Sequence, residues 1–130
     1  MVENIKYKTY DDSLDVVEFI IMATQVWPGN QPEYTKEALR KTINTTAWDN
    51  YKRIGCKGTN WRNFFGTITE ILVLPEYQGK GIEEELMFLA FEISPTSLYF
   101  GAQPEAVGFY EKIGYEKSIQ SFGREKPRRQ

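Results

Sequence analysis

The most constraining feature of the sequence is a β-rich segment that runs into a glycine loop and then into an amphipathic helix. Residues 64–74 (FFGTITEILVL) form the longest β-rich run, and their β-branched side chains predict a central strand. The loop PEYQGKG follows, and beyond it apolar residues recur at helical spacing at Ile82, Leu86, Leu89 and Ile93. This order places free backbone N–H groups at a helix N-terminus, where they and the helix dipole favour an anion.

The residues of the loop suit a phosphate. Gly79 and Gly81 let the backbone approach a phosphate closely, Lys80 adds a positive charge, and Gln78 can brace the loop with side-chain hydrogen bonds. The string is neither a P-loop nor a dinucleotide fingerprint, because the pattern G-x-x-x-x-G-K-[ST] does not occur and Glu84 stands where the fingerprint needs its last glycine. Taken alone, the loop fits phosphate binding and a plain strand-to-helix turn equally well.

Composition restricts the chemistry. The chain has 130 residues, of which 41% are hydrophobic, and this fits one globular domain. It has no histidine, which excludes Ser-His-Asp and Cys-His catalysis and histidine-based metal sites, so we expect no metal. The net charge of −2 argues against a nucleic-acid partner. With a single cysteine, no apolar signal core and no run of about twenty apolar residues, we expect a soluble cytoplasmic protein that does not contact a membrane.

The remaining pattern predicts helices and strands that alternate around a central meander. Helices are predicted from N-cap candidates at residues 11–13 to about residue 25, and over residues 35–43, 82–93 and 106–113, with Gly114 as a C-cap. Strands are predicted over residues 5–9, 45–48, 51–57, 64–74, 98–100 and 115–122. The order β-α-α-β-β-β-α-β-α-β predicts one α/β domain over residues 1–130, with a mixed sheet covered by helices on both sides.

Two linked motifs resemble those of the GCN5-related N-acetyltransferase (GNAT) superfamily. The stretch ILVLPEYQGKGIEEELM is similar to its acyl-CoA signature, V-x-P-x-[YF]-[QR]-x-x-G-[IL]-[GA]-x-x-L, and AQPEAVGFYEKIGYE is similar to its N-x-x-A-x-x-[FL]-Y-x-K-x-G-[FY] element. The matching residues are Val73, Pro75, Tyr77, Gln78, Gly81, Ile82 and Leu86, then Ala106, Phe109, Tyr110, Lys112, Gly114 and Tyr115. Glyoxalase-like proteins share a string like FYEKIGY, but they bind metal through histidine and glutamate and lack this glycine loop.

The resemblance implies a GNAT fold, in which a central, mixed and mostly antiparallel sheet is flanked by about four helices. It also implies an N-acetyltransferase that moves an acetyl (acyl) group from acetyl-CoA to a primary amine by direct attack. The acceptor would be a small-molecule amine or a protein amine, and no protein nucleophile is needed. Because members of the family are often dimers, a homodimer is a further expectation.

The resemblance also implies where acyl-CoA is held. The backbone of Ile71, Leu72 and Val73 would line the pantetheine arm and the thioester, and Gln103 stands where the family usually has an asparagine that bonds the pantetheine. The loop and the first helical turn would wrap the pyrophosphate with Gln78, Gly79, Lys80, Gly81, Ile82, Glu83 and Glu84.

Two residues are candidates for proton transfer. Tyr110 matches the tyrosine that protonates the CoA thiolate, and its alternative role is a core aromatic residue on its helix face. Glu70 is the candidate general base for the amine proton, and its alternative role is a surface-facing or structurally hydrogen-bonded glutamate. Four aromatic residues are candidates for the wall of the acceptor pocket, each with packing as the alternative role: Trp27 and Tyr34, and more weakly Trp48 and Trp61.

Position 83 departs from the family pattern, because Glu83 stands where the signature has glycine or alanine. A glutamate there adds bulk and negative charge beside a pyrophosphate, and at a few ångströms the repulsion costs on the order of 1 kcal/mol or more. The sequence therefore leaves a second interpretation open. In that interpretation the chain is a degenerate member of the family that binds CoA weakly or not at all and acts as a binding or regulatory module.

Overall fold

The computed structural model describes residues 4–26, 39, 42–60, 66–118 and 122–124. The chain divides into two compact units, Met1–Phe100 and Gly101–Gln130. Within the described ranges, the first unit contains a five-stranded sheet and two helices, and the second unit contains one short helix. Three helices are thus described, against about four that the sequence predicts.

The sheet follows the order of the chain. Its strands are β1 (Ile5–Lys8), β2 (Ile43–Asp49), β3 (Lys52–Asn60), β4 (Gly66–Val73) and β5 (Leu98–Tyr99), and they are neighbours in that sequence. The pairs from β1 to β4 are antiparallel, whereas β5 pairs with β4 in parallel. The prediction of a mixed, mostly antiparallel sheet is therefore confirmed.

The first helix, α1 (Val16–Thr24), begins later than the sequence predicts. Its N-cap is Asp15, whose carboxylate accepts a hydrogen bond from the backbone N–H of Glu18 at 2.8 Å. The predicted cap at residues 11–13 is wrong, because the carboxylate of Asp11 is used elsewhere, in contacts with the side chains of Thr46 and Arg53. Three aspartates in the same short stretch offer equivalent caps, and only tertiary contacts select among them.

The predicted second helix over residues 35–43 extends too far. Leu39 is helical, but Thr42 is a bend and Ile43 is the first residue of β2, where it pairs with Thr59 of β3. A β-branched residue at the end of a helical pattern suits either element, and strand pairing decides it here. The other residues of that prediction lie outside the described ranges.

The second helix, α2 (Ile82–Ile93), has the bounds that the sequence predicts. Its buried face consists of Ile82, Leu86, Met87 and Ala90, which recur at the spacing that keeps side chains on one face of a helix. The described residues include no helix of sufficient length and apolarity to cross a membrane.

The two faces of the sheet are covered by different helices of the first unit. A Cβ added at Gly55 of β3 would lie 3.4 Å from Cδ1 of Leu86, so α2 packs closely over this position. Thr46 pairs with Cys56, the residue after Gly55, and its hydroxyl donates to Asp11, in the segment before α1. Because neighbouring strand residues point to opposite faces, α2 and the segment leading to α1 lie on opposite sides of the sheet.

Beneath α1 the sheet carries a buried charge network centred on Arg53. The side chains of Arg53 and Asp11 are 3% and 2% exposed, and their closest nitrogen and oxygen atoms are 3.1 Å apart. Arg53 also donates to the carboxylate of Glu18 and, at 2.8 Å, to the hydroxyl of Ser13. Burial raises the pKa of Asp11, but hydrogen bonds from Ser13 and Thr46 and the charge of Arg53 outweigh that effect and lower its pKa to about 2.

Trp48 belongs to this network. Its indole N–H donates to the hydroxyl of Thr46 at 2.9 Å, and its ring lies between the charged groups of Arg53 and Lys8, 4.4 and 4.7 Å from the ring centroid. Such cation–π contacts and the indole hydrogen bond account for this residue by packing. The alternative role that the sequence allows for Trp48 is therefore the one that its described contacts support.

The second unit contains a 3₁₀ turn, Pro104–Ala106, followed by α3 (Val107–Lys112). Gly114 has a φ of 103° and its N–H donates to the carbonyl of Glu111 at 3.2 Å, so the predicted C-terminal glycine is confirmed. The predicted last strand is not confirmed, because residues 115–118 and 122 have no strand assignment and residues 119–121 lie outside the described ranges. The side chains of residues 116–118 are exposed.

Candidate functional site

The loop between β4 and α2 is held in shape by hydrogen bonds on its strand side. After β4 the chain makes a 3₁₀ turn, Pro75–Tyr77, in which the N–H of Tyr77 donates to the carbonyl of Leu74 at 2.8 Å. The side-chain amide of Gln78 then donates to the carbonyl of Val73 at 2.9 Å. The bracing role that the sequence predicts for Gln78 is confirmed, and the rest of the loop projects beyond it.

Gly79 and Gly81 are required by the backbone conformation. Their φ angles are 73° and 85°, in the left-handed region where side chains other than glycine are strained. A Cβ added at either position would meet nothing within 4 Å, so the space in front of both residues is open. Gly81 is the N-cap of α2, and the exposed Lys80 stands between the two glycines.

Backbone N–H groups of this loop and of the first helical turn are available to a ligand. The first hydrogen bond of α2 runs from the N–H of Glu85 to the carbonyl of Gly81 at 3.1 Å, so the N–H groups of residues 82–84 have no acceptor within the helix. Within the described ranges, no residue accepts from the N–H groups of residues 79–81 either. Together with the positive end of the helix dipole, these groups form an arrangement suited to a phosphate.

Glu83 places a carboxylate beside these N–H groups. Its side chain is half-buried, and burial raises its pKa. The neighbouring Glu84 is exposed. A side chain turned fully into solvent would be harmless to a bound phosphate, but Glu83 is not fully solvated, so its charge has to be considered in any ligand complex.

Tyr77 links the loop to the hairpin between β2 and β3. Its hydroxyl donates to Asp49 Oδ2 at 2.6 Å, and this hydrogen bond is the main cause of its raised pKa. The ammonium groups of Lys52 and Lys80 lie 6.0 and 5.8 Å from the centroid of its ring. Lys52 also forms an ion pair with Glu76, with 3.7 Å between nitrogen and oxygen.

Sequence reasoning missed Asp49 and Lys52 as neighbours of the loop. Asp49 directly follows the strand predicted over residues 45–48, Lys52 lies in the strand predicted over residues 51–57, and both are far from Tyr77 along the chain. The signal that brings them together is the antiparallel pairing of β2, β3 and β4, which a single sequence does not carry.

The outer edge of β4 opens next to the loop. β5 pairs with β4 only at Gly66 and Thr67, so beyond Thr67 no strand of the described residues covers that edge. Leu72 and Val73 are each 2% exposed and Ile71 is half-buried. Their side chains therefore pack within the first unit, and the backbone is the part of these residues that a ligand along the edge can reach.

Several predicted residues can be placed only in part. Glu70 lies in β4 opposite Gly58 of β3, as the central-strand prediction requires, but its side chain lies outside the described part of the structure. Trp27, Tyr34 and Trp61 also lie outside the described residues. Their assignments as base and acceptor wall stay predictions.

Gln103 and Tyr110 belong to the second unit. Gln103 is exposed and precedes the 3₁₀ turn, where its carbonyl accepts from the N–H of Ala106 at 2.9 Å. Tyr110 is half-buried in α3 and packs edge-to-face against Phe109 and Tyr115, with ring centroids 5.2 and 6.3 Å apart. Burial, and to a lesser degree the charge of Tyr110, raises the pKa of Tyr115. The aromatic contacts of Tyr110 leave both its catalytic and its packing role open.

The combination of an open strand edge, a glycine loop and a helix is explained by the protein family to which the sequence can be matched. A family model described as the acetyltransferase (GNAT) domain matches residues 42–117, more than half of the chain. The chain belongs to the GNAT acetyltransferase family. Enzymes of this family use acetyl-CoA. No group of three or more His, Cys, Asp or Glu side chains in the described ranges is arranged to hold a metal ion.

Solved structures share the GNAT fold over nearly the whole chain. A GNAT-family protein from Xanthomonas campestris pv. campestris is 17% identical, with a TM-score of 0.79 over 98% of this chain and 96% of that one. AAC(6')-Iy in complex with the bisubstrate analogue CoA-S-monomethyl-acetylneamine is 14% identical, with a TM-score of 0.74 over 96% and 99%. Glucosamine-6-phosphate N-acetyltransferase from Arabidopsis thaliana is 17% identical, with a TM-score of 0.64 over 94% and 99%. No curated protein sequence matches the chain significantly.

Proposed function

We propose that this GNAT protein is an N-acetyltransferase that uses acetyl-CoA and a primary amine. The observation that carries the proposal is the glycine loop. Its two left-handed glycines, its braced strand side and the available N–H groups ahead of α2 together offer a phosphate the contacts it needs.

In this proposal, acyl-CoA lies along the open edge of β4. The pyrophosphate takes the N–H groups of the loop and the ammonium group of Lys80, and the pantetheine amides pair with the backbone of residues 71–73 as a further strand would. Gln103 adds a side-chain amide to the pantetheine. Holding the thioester at a fixed edge lowers the entropic cost of bringing it to the amine.

The reaction needs no covalent enzyme intermediate. The neutral amine attacks the thioester carbonyl, a C–N bond forms, and the C–S bond breaks to release the CoA thiolate. Glu70 takes the proton that the amine loses, directly or through water, and Tyr110 gives a proton to the thiolate. The products are the N-acetylated amine and CoA, and both proton carriers are restored by exchange with solvent.

Two structural neighbours support an amine as the acceptor class. One was solved with a bisubstrate analogue of CoA and acetylneamine, and another is named as an N-acetyltransferase of glucosamine-6-phosphate. The acceptor of this chain is therefore proposed as a small-molecule amine or a protein amine, with Trp27 and Tyr34 in its wall. Because the chain has a single cysteine, the buried Cys56, and so forms no internal disulfide, a reducing compartment such as the cytoplasm suits the protein.

Glu83 favours a second candidate function. Its half-buried carboxylate stands in the first turn of α2, where it opposes a bound pyrophosphate. A GNAT protein that has lost tight CoA binding would act as a binding or regulatory module. This candidate differs from the first in one measurable quantity, the affinity for acetyl-CoA.

Calorimetric titration with acetyl-CoA separates the two candidates. Binding at micromolar ligand, followed by release of free CoA when a panel of primary amines is added, supports the enzyme. No heat and no thermal protection at millimolar acetyl-CoA would overturn it. The same titration with Gly81→Val is the matched control, because a β-branched residue at a φ of 85° distorts the loop while the helix beyond it remains.

A further inference from the structure

We propose that Lys52, on the hairpin between β2 and β3, binds the 3′-phosphate of CoA. The inference rests on the proposed use of acetyl-CoA and adds a residue that lies outside both family motifs. It makes the hairpin a part of the cofactor site and assigns to it the recognition of the one anionic group that distinguishes CoA from dephospho-CoA.

Lys52 lies close to the glycine loop. The ammonium groups of Lys52 and Lys80 lie 6.0 and 5.8 Å from the centroid of the aromatic ring of Tyr77. Lys80 stands between the two glycines of the loop, so the two lysines bring positive charge to the same end of the sheet from two different elements. Two cations near the same ring give the site two cationic positions in place of one.

The hairpin that carries Lys52 is held next to the loop. The hydroxyl of Tyr77 donates to Asp49 Oδ2 at 2.6 Å, and Asp49 pairs with Lys52 where the hairpin closes. The backbone N–H of the same tyrosine donates to the carbonyl of Leu74 and closes the 3₁₀ turn directly after β4. One side chain therefore ties the hairpin to the loop, which keeps the backbone that carries Lys52 next to the loop.

The ammonium group of Lys52 is available for an anion. Its partner Glu76 is 3.7 Å away, and the two side chains are 60% and 61% exposed. An ion pair this exposed contributes little and exchanges readily for a partner of higher charge. A phosphate monoester carries close to two negative charges at neutral pH, so it competes well with a single carboxylate.

The 3′-phosphate is the phosphate of CoA that we assign to Lys52. The pyrophosphate already has the backbone N–H groups of residues 79–84 and the charge of Lys80. CoA carries a second, separate anionic centre on its ribose, and the loop offers no N–H groups beyond those that the pyrophosphate takes. Lys52 is a solvated cation on the neighbouring hairpin, near the same aromatic ring as Lys80, and it suits this second anionic centre.

The test compares acetyl-CoA with 3′-dephospho-acetyl-CoA in calorimetric titrations. Lys52→Gln should weaken the binding of acetyl-CoA by about fivefold and leave the dephospho analogue unchanged, because an exposed charge pair contributes up to about 1 kcal/mol. Lys80→Gln should weaken both ligands. Lys6→Gln, which removes an exposed lysine at the far edge strand β1, is the matched control and should change neither.

Two outcomes overturn the inference, and a third concerns the proposed function alone. Equal affinities of wild type and Lys52→Gln for acetyl-CoA would show that Lys52 does not bind the ligand. Equal weakening of both ligands would show that it acts on the pyrophosphate or on the fold. Failure of the wild-type protein to bind either ligand would overturn the use of acetyl-CoA itself, which the titration separates from the role of Lys52.

Discussion

Glu83 affects the helix and the proposed ligand in opposite ways. Its negative charge in the first turn favours α2, whereas the same charge repels a bound pyrophosphate. Replacing its carboxylate with an amide keeps the shape and removes the charge, so Glu83→Gln should bind acetyl-CoA about fivefold more tightly at neutral pH. Calorimetric titration measures this. Glu84→Gln is the matched control, because Glu84 is exposed on the same helical turn and its charge is better screened.

The same carboxyl group gives the affinity a pH dependence. Because burial raises the pKa of Glu83, lowering the pH toward that pKa adds a proton and removes the charge that opposes the phosphate. The ratio of the dissociation constants of wild type and Glu83→Gln should therefore fall toward one, and taking the ratio cancels the titration of the phosphates of CoA. A ratio of one at every pH would show that the charge of Glu83 does not affect the ligand.

Tyr110 can be tested as a proton donor separately from its packing. Tyr110→Phe keeps the ring that contacts Phe109 and Tyr115 and removes only the hydroxyl. We expect kcat to fall at least about tenfold with little change in the KM for acetyl-CoA, because general acid catalysis acts in the transition state. Tyr115→Phe is the control in the same aromatic cluster. Equal turnover of the two variants would assign Tyr110 to packing.

Asp11 contributes stability that depends on pH. Its pKa is lowered from 3.8 to about 2, so its contribution is complete above 3.8 and is lost as the pH falls through about 2. At neutral pH, Asp11→Asn should lower the free energy of unfolding by about 3 kcal/mol, because Arg53 loses a buried partner. Urea unfolding should show this difference narrowing below about pH 4. Asp12→Asn, in the same segment but exposed, is the matched control.

At the scale of elements, the contact between α2 and the sheet depends on Gly55. A Cβ there would lie 3.1 Å from the carbonyl oxygen of Leu72 and 3.3 Å from Cγ2 of Val73. Gly55→Ala should therefore lower the free energy of unfolding by about 1–3 kcal/mol, as overpacking does. Gly108→Ala in α3 is the control, since nothing lies within 4 Å of its added Cβ and alanine favours a helix. A stability unchanged by both substitutions would show that α2 can move away from the sheet.

The elements also show how far the sequence predicts this fold. Helix α2 is predicted with its observed bounds, because a glycine loop before it and apolar spacing within it agree. Helix α1 is predicted to begin too early, since the sequence does not reveal that Asp11 is bound by Arg53 on a distant strand. Ile43 is assigned to a helix although it pairs in β2, and the strand predicted after Gly114 has no strand assignment in its described residues, 115–118 and 122.

At the scale of the whole molecule, the family fold brings together residues that are remote along the chain. The two motifs predict the loop and the strand before it, and the structure adds the hairpin that carries Asp49 and Lys52 beside Tyr77. Those two residues are not recognisable from the sequence, because their role depends on sheet pairing and on no local pattern. Asp49 and Lys52 both lie outside the two family motifs.

The open edge of β4 has a consequence for how the protein behaves at high concentration. A strand with unpaired backbone groups is a template for another strand, and two copies that meet at this edge can add to each other's sheets. A ligand stretched along residues 71–73 would occupy that template. Purification in the presence of such a ligand should therefore yield a sample with less self-association for crystallisation. This effect is independent of any gain in folding stability.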